Sequence, residues 1–68
     1  MTNPKKLSTP DDILKTALLK EKEARQLYSD LSAHTRIEMV RKLADKLKDE
    51  EGRHVKLIED MIAKLNCG

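Results

Sequence analysis

Apolar residues recur at alternating steps of three and four along two long stretches of this chain, and no other feature constrains the fold as tightly. The first stretch reads Leu14, Ala17, Glu21, Ala24, Tyr28, Leu31, with Ile13, Leu18 and Leu27 widening the stripe. The second reads Ile37, Val40, Ala44, Leu47, Glu51, His54, Ile58, Met61, Leu65. Such steps keep residues on one face of a helix of about 3.6 residues per turn, so each stretch predicts an amphipathic helix. Local punctuation agrees. Thr9 can cap, Pro10 suits the first helical position, and Asp11 and Asp12 complement the positive end of the dipole, so the first helix is expected from about residue 10 to 32. Ser32-Ala33-His34-Thr35 breaks the pattern, and Thr35-Arg36-Ile37-Glu38 has capping-box spacing for a second helix from about residue 36 to 65. Asn66 and Gly68 mark its end. A connection this short makes the helices antiparallel neighbours. The expected fold class is therefore all-α, an antiparallel two-helix hairpin over residues 9–68. Residues 1–8 read as a flexible tail, with Leu7 able to staple onto the first turn. No repeat, low-complexity tract or strand pattern is present.

A hairpin of this kind cannot close its own core. Each seam needs more than one partner, and a chain of 68 residues struggles to bury enough apolar surface alone. The usual staples are disulfides, metals and oligomerisation. Cys67 is the single cysteine, which excludes an intrachain disulfide and suggests a reducing, cytoplasmic setting. It reads as a free thiol able to form an adventitious intermolecular disulfide in air. Two hairpins packed together make a four-helix bundle with one continuous core, so at least a homodimer is expected. The segment from Met1 to Pro10 is polar and does not read as a secretory signal, and no apolar run approaches the ~20 residues of a membrane span. The 14 basic and 12 acidic residues are interleaved rather than segregated. That is the pattern of a solvated helical surface, not of a nucleic-acid footprint. One tyrosine, without tryptophan or phenylalanine, also argues against base stacking. Neither nucleic acid nor membrane is an expected partner.

The seams are interrupted by polar residues. Glu51 and His54 sit one turn apart in Asp49-Glu50-Glu51-Gly52-Arg53-His54, and Glu21 holds the matching central place on the first helix. Measured from the turn, Glu21 lies about 20 Å down one helix and Glu51 about 25 Å up the other, so the three groups fall into one layer to within about a turn. Ionised groups taken out of water need compensation. A Glu from one helix and a Glu-x-x-His from the next are the ligand types of a carboxylate-bridged di-metal centre. One chain carries half a set; a dimer would place four carboxylates and two imidazoles in the layer, matching two divalent cations. Oxygen and nitrogen donors suit iron or manganese, and zinc could also bind. Any one of these residues alone reads more simply as a register device or a partner for lysine. All three together favour the ligand reading. Gly52 is the one flaw inside the helix, costing roughly 1 kcal/mol relative to Ala, and could admit a close neighbour beside the ligand pair. Glu23 and Glu50 point off the seam as solvated charges, although Glu50 lies four residues before His54 and could orient its imidazole. His34 falls in the turn, and Met61 fills the core.

The stretch from Glu21 to His54 resembles one repeat of the ferritin-like, rubrerythrin-type di-iron domain. Glu21-Lys22-Glu23-Ala24 followed by Tyr28 and Leu31 is similar to the family's first-helix Glu-x-x-Ala-x-x-x-Tyr-x-x-Leu signature. Leu47-Lys48-Asp49-Glu50-Glu51-Gly52-Arg53-His54 resembles its second-helix motif. The resemblance implies that Glu21 is a terminal ligand, Glu51 the bridging one and His54 the nitrogen ligand, with Tyr28 a nearby hydrogen-bond donor. It also implies a ferritin-like bundle. Such domains usually carry two repeats in one chain; this sequence has one, so the site is expected between chains. The single cysteine excludes a rubredoxin module with its two Cys-x-x-Cys pairs, so electrons would come from a separate partner. Encapsulin-associated ferritin-like proteins are similar in bringing a short hairpin to an iron-oxidising site between subunits, which makes an encapsulating partner a further possibility.

The leading expectation is a di-iron carboxylate protein that oxidises Fe(II) with dioxygen or peroxide, in iron handling or protection from oxidative stress. The alternatives are a non-catalytic hairpin whose metal clamps the dimer, and a helical interaction module whose seam charges choose the partner. A DNA-binding helix-turn-helix fits least, because both helices are too long.

Overall fold

The computed structural model describes residues 9–67 of the chain. Two helices, α1 (Pro10–His34) and α2 (Glu38–Cys67), pack against each other, with no strand among the described residues. The cross-helix contacts Ser32–Asp45, Glu21–His54 and Lys22–Glu59 run in opposite chain order along the two helices, as antiparallel packing requires. The expected tail 1–8, the Leu7 staple, Gly68 and the side chain of Cys67 lie outside the described residues.

The start of α1 follows its sequence signals. Thr9 is extended, its Oγ1 accepts from the Asp12 amide at 3.1 Å, and its carbonyl takes the first helical bond from Ile13. Asp11 pairs with Lys15 at 2.9 Å, which holds the exposed Lys15 ammonium above its ordinary pKa through that hydrogen bond and the attraction of Asp11. At the other end α1 runs two residues further than expected. His34 is its last residue, exposed as expected, and its Nδ1 donates to the Asp30 carbonyl at 2.7 Å.

The capping box expected at Thr35-Arg36-Ile37-Glu38 does not form. Thr35 is spent on α1, where its amide donates to the Leu31 carbonyl as the closing cap. Its hydroxyl accepts from the Ile37 amide at 3.2 Å, two residues on, a local turn that competes with helix initiation. The Ile37 carbonyl therefore takes the first bond of α2, from Arg41. Glu38 turns to Arg41 at 3.4 Å, and Arg41 in turn donates to the Thr35 carbonyl. Thus α2 begins two residues later than expected. It also continues through Asn66, whose modest propensity cost does not by itself end a helix.

The interior is small. Ala44 and Val55 are the buried apolar residues, and α1 has none fully buried. Val55 corrects the expected seam of α2. From Glu51 the three-four rule permits a step to His54 or to Val55; the hairpin interior takes Val55, and His54 is displaced to the edge, its side chain 51% exposed. A second apolar stripe consequently faces outward, including Leu43, Leu57, Met61 and Leu65 on α2 and Ile13, Leu27 and Leu31 on α1. Ile13 and Leu27 are rotated to the same side of Glu21 as Leu43 and Leu57 are of Glu51. Because right-handed helices running in opposite directions reverse the sense of rotation, both stripes fall on one face of the hairpin.

Candidate metal centre

Glu21 stands near the middle of α1 and Glu51 near the middle of α2, and the antiparallel pairing brings them level. Each residue of the trio Glu21, Glu51 and His54 offers one ligand atom, and these atoms lie within 4.8 Å of one another. His54 Nδ1 is 3.1 Å from Glu51 Oε1, to which it donates, and 3.5 Å from Glu21 Oε2. The one-turn spacing of Glu51 and His54 produces the first of these distances, since residues three apart on a helix are neighbours. The second is a cross-helix approach that depends on the register of the hairpin.

The electrostatics are those of a site short of positive charge. Glu21 Oε2 is buried and has no hydrogen-bond donor despite its nearness to His54. Only a protonated Glu51 could donate a hydrogen bond to the Glu21 carboxylate. The Glu51 carboxyl is accordingly held above its ordinary pKa, first by hydrogen bonding with Glu21, then by partial loss of water and by repulsion from Glu21, while His54 acts in the opposite direction. A cation between the two carboxylates would relieve this repulsion.

Geometry permits a metal ion. Zinc-type bonds to imidazole nitrogen and carboxylate oxygen are about 2.0–2.2 Å, so two ligands of one ion lie within about 4.4 Å of each other. The distances of 3.1 and 3.5 Å fall inside that limit, and a small side-chain rotation brings the 4.8 Å outer bound within it. The side chains of Glu21 and Glu51 are 28% and 18% exposed. In a single hairpin this layer is thus an open cluster at the edge of the apolar face, not the dry core expected from the seam.

The remaining candidates are placed differently. Tyr28 is half-buried on the Glu21 side of α1, about 10 Å further along the axis, and among the described residues no hydrogen bond joins its hydroxyl to the trio. Glu23 is exposed beside Lys20 at 3.7 Å, as expected of a solvated charge. Among the described residues no hydrogen bond joins Glu50 to the imidazole, whose Nδ1 is engaged by Glu51. Gly52 does have a close neighbour. The Arg25 guanidinium lies across it, with Nε 3.6 Å from where a Cβ would stand. Arg25 and Val55 are the residues that seam reading overlooked, and the only signal for Val55 was the two-way choice after Glu51.

A helical hairpin that gathers two carboxylates and an imidazole into one layer falls in the class of helix-bundle carboxylate proteins. The Rubrerythrin family model matches residues 12–68, most of the chain, and the chain belongs to that family. Domains of the family generally bind iron and typically oligomerise. No curated protein and no solved structure matches the chain. Among the described residues, no helix is long and apolar enough to cross a membrane.

Proposed function

We propose that two copies of this hairpin pair through their shared apolar face and join their half-sites into a di-iron centre that oxidises Fe(II) with dioxygen or peroxide. The observation that carries this reading is the trio itself: the ligand atoms of Glu21, Glu51 and His54 are gathered within 4.8 Å at the edge of an uncovered apolar face. Pairing would bury that face and bring the two trios into one layer. Four carboxylates and two imidazoles could then hold two divalent cations at near-neutral net charge.

In this reading Glu21 is a terminal ligand, Glu51 bridges, and His54 supplies neutral nitrogen. Two bound irons would supply two electrons to an O–O bond at one place. The protein's part is charge and water. A cation would ease the repulsion between Glu51 and Glu21, Glu21 Oε2 would gain its missing partner, and the paired apolar faces would exclude solvent. Tyr28, on the same side of α1, is the nearest phenol and can donate a hydrogen bond once the second hairpin closes the layer.

Stopped-flow mixing of anaerobically Fe(II)-loaded protein with oxygenated buffer tests this reading. Oxidation faster than for the Glu51→Ala variant is expected. Equal rates would leave a metal-clamped dimer without turnover, and tight iron binding by a folded monomer would remove the inter-chain site.

A further inference from the structure

The charges that alternate along the sequence do not alternate in space. On the side of the hairpin away from the apolar stripe, α1 and α2 form two adjoining open depressions that share Arg25 and Lys48. Their basic side chains are Lys22, Arg25, Lys48, Arg53 and Lys56, and their acidic ones are Asp49 and Glu59. Five cations against two anions give this groove a formal charge of +3, while the whole chain carries only +2. Lys22 is paired with Glu59 at 3.8 Å. Among the described residues, Arg25, Lys48, Arg53 and Lys56 have no carboxylate partner. Like charges gathered without partners repel each other and disfavour the compact state. Their concentration in one groove suits an occupant of opposite sign.

We propose that this groove docks an acidic segment of a partner polypeptide. The depressions are open, about 550 and 470 Å3, far more than the ~30 Å3 of a water-sized occupant, so there is room for an extended chain to lie along them. From Lys48 to Glu59 the α2 wall is about 16 Å long, the span of about five extended residues. Carboxylates on alternate residues of such a segment recur about every 6.6 Å on one side and can meet Lys48, Arg25 and Lys56 in turn. Asp49 and Glu59 favour a peptide, which can set neutral residues opposite them, over a polynucleotide, which brings a phosphate at every step. No aromatic side chain lines the groove for bases to stack on. Gly52 contributes at the centre, where the absent side chain leaves room for the Arg25 guanidinium to lie across the helix interface. The groove faces away from the apolar stripe, so it stays open whether or not two hairpins pair, and the inference does not rest on the metal reading.

Fluorescence anisotropy of a labelled decapeptide of alternating glutamate and serine, titrated with the full chain at low salt, tests the assignment. The comparison is between K48Q/K56Q in the groove and K42Q/K46Q outside it, two variants with the same change in net charge. Circular dichroism of both shows that the helices are retained. The groove variant is expected to bind about fivefold or more weakly, and the outside variant within about twofold of the parent. Added salt should weaken the parent most. Equal losses in the two variants would reduce the effect to net charge and overturn the groove. Absence of peptide binding, or tighter binding of an oligothymidylate of equal charge, would overturn the acidic-peptide assignment.

Discussion

The two ends of the path that runs from the interhelical turn to the middle of the hairpin treat their polar groups in opposite ways. At the turn, Ser32 donates to Asp45 across the helices, Thr35 closes α1 with its amide and engages Ile37 with its hydroxyl, and Arg41 donates to the Thr35 carbonyl. Ala44, 1% exposed, is packed beneath this end. Further along, Glu21 Oε2 has no donor, the Glu51 carboxyl is held above its ordinary pKa beside Glu21, and His54 is half-exposed. One region is complete within a single chain and the other is not. Polar groups satisfied locally serve the fold, whereas groups gathered and left short of charge call for something from outside.

The largest effect expected from that contrast is on metal affinity. Loss of groups that merely support a ligand commonly costs 10–100-fold, so removing two of the proposed ligands in Glu21→Ala/Glu51→Ala should weaken iron binding by more than about a hundredfold. Asp45→Ala, at the turn, should leave it unchanged. Anaerobic Fe(II) titration of both variants makes the comparison. Equal affinities for the double variant and the parent would show that the middle layer is not the binding site.

The next effect is on the metal-free protein and has a definite sign. Because Glu51 has a higher pKa in the folded chain than its ordinary value of 4.5, the folded state holds a proton that the unfolded state releases. Its contribution to stability is full below about pH 4.5 and is lost as the pH rises through the raised folded value. The apo protein should therefore melt at a lower temperature at neutral pH than at pH 5 to a degree that Glu51→Leu reduces. That variant should melt above the parent at neutral pH yet gain nothing from added metal. Thermal melts in the presence of chelator supply the readout. A clearly less stable Glu51→Leu would mean that the carboxylate is already well compensated within the protein.

Gly52 lies within the middle layer, between Glu51 and His54 along α2, and its substitution should have a smaller effect. It is helical, and a Cβ there meets only Arg25, at an ordinary van der Waals distance of 3.6 Å. Gly52→Ala should therefore stabilise α2 by about 0.5–1 kcal/mol through helix propensity. Chemical denaturation measures the gain. A loss would indicate that Arg25 cannot shift and that the open space itself is required.

Much of this was legible in the residues because it depends on local rules. Thr9-Pro10-Asp11-Asp12 announces a helix start by capping and dipole alone, and three-four periodicity fixes two helices and brings Glu21 level with Glu51. What escaped depends on choices between near-equal local options. Thr35 could cap either helix, and the tertiary path gave it to α1. The step after Glu51 could lead to His54 or to Val55, and only the packed hairpin shows that Val55 turns inward. The basic groove was hidden for a related reason. Lys22 and Arg25 are separated from Lys48, Arg53 and Lys56 by more than twenty residues of mixed charge, and their proximity is a product of the fold.

The smallest effect belongs to the turn, and it tests whether that end is as self-sufficient as it looks. The Ser32–Asp45 hydrogen bond is exposed, so it exchanges with water at little net cost. Asp45→Asn keeps an acceptor for the Ser32 hydroxyl while removing the charge, and should change stability by no more than about 0.5 kcal/mol. Asp45→Ala should cost about 0.5–1 kcal/mol, because the acceptor is lost but water can replace it. Comparing the two variants by urea denaturation separates the hydrogen bond from the charge. If both lose equally, the charge of Asp45 matters more than the bond it accepts. If either also weakens metal binding, the turn sets the register that aligns Glu21 with Glu51, and the two regions are coupled through the pairing of the helices.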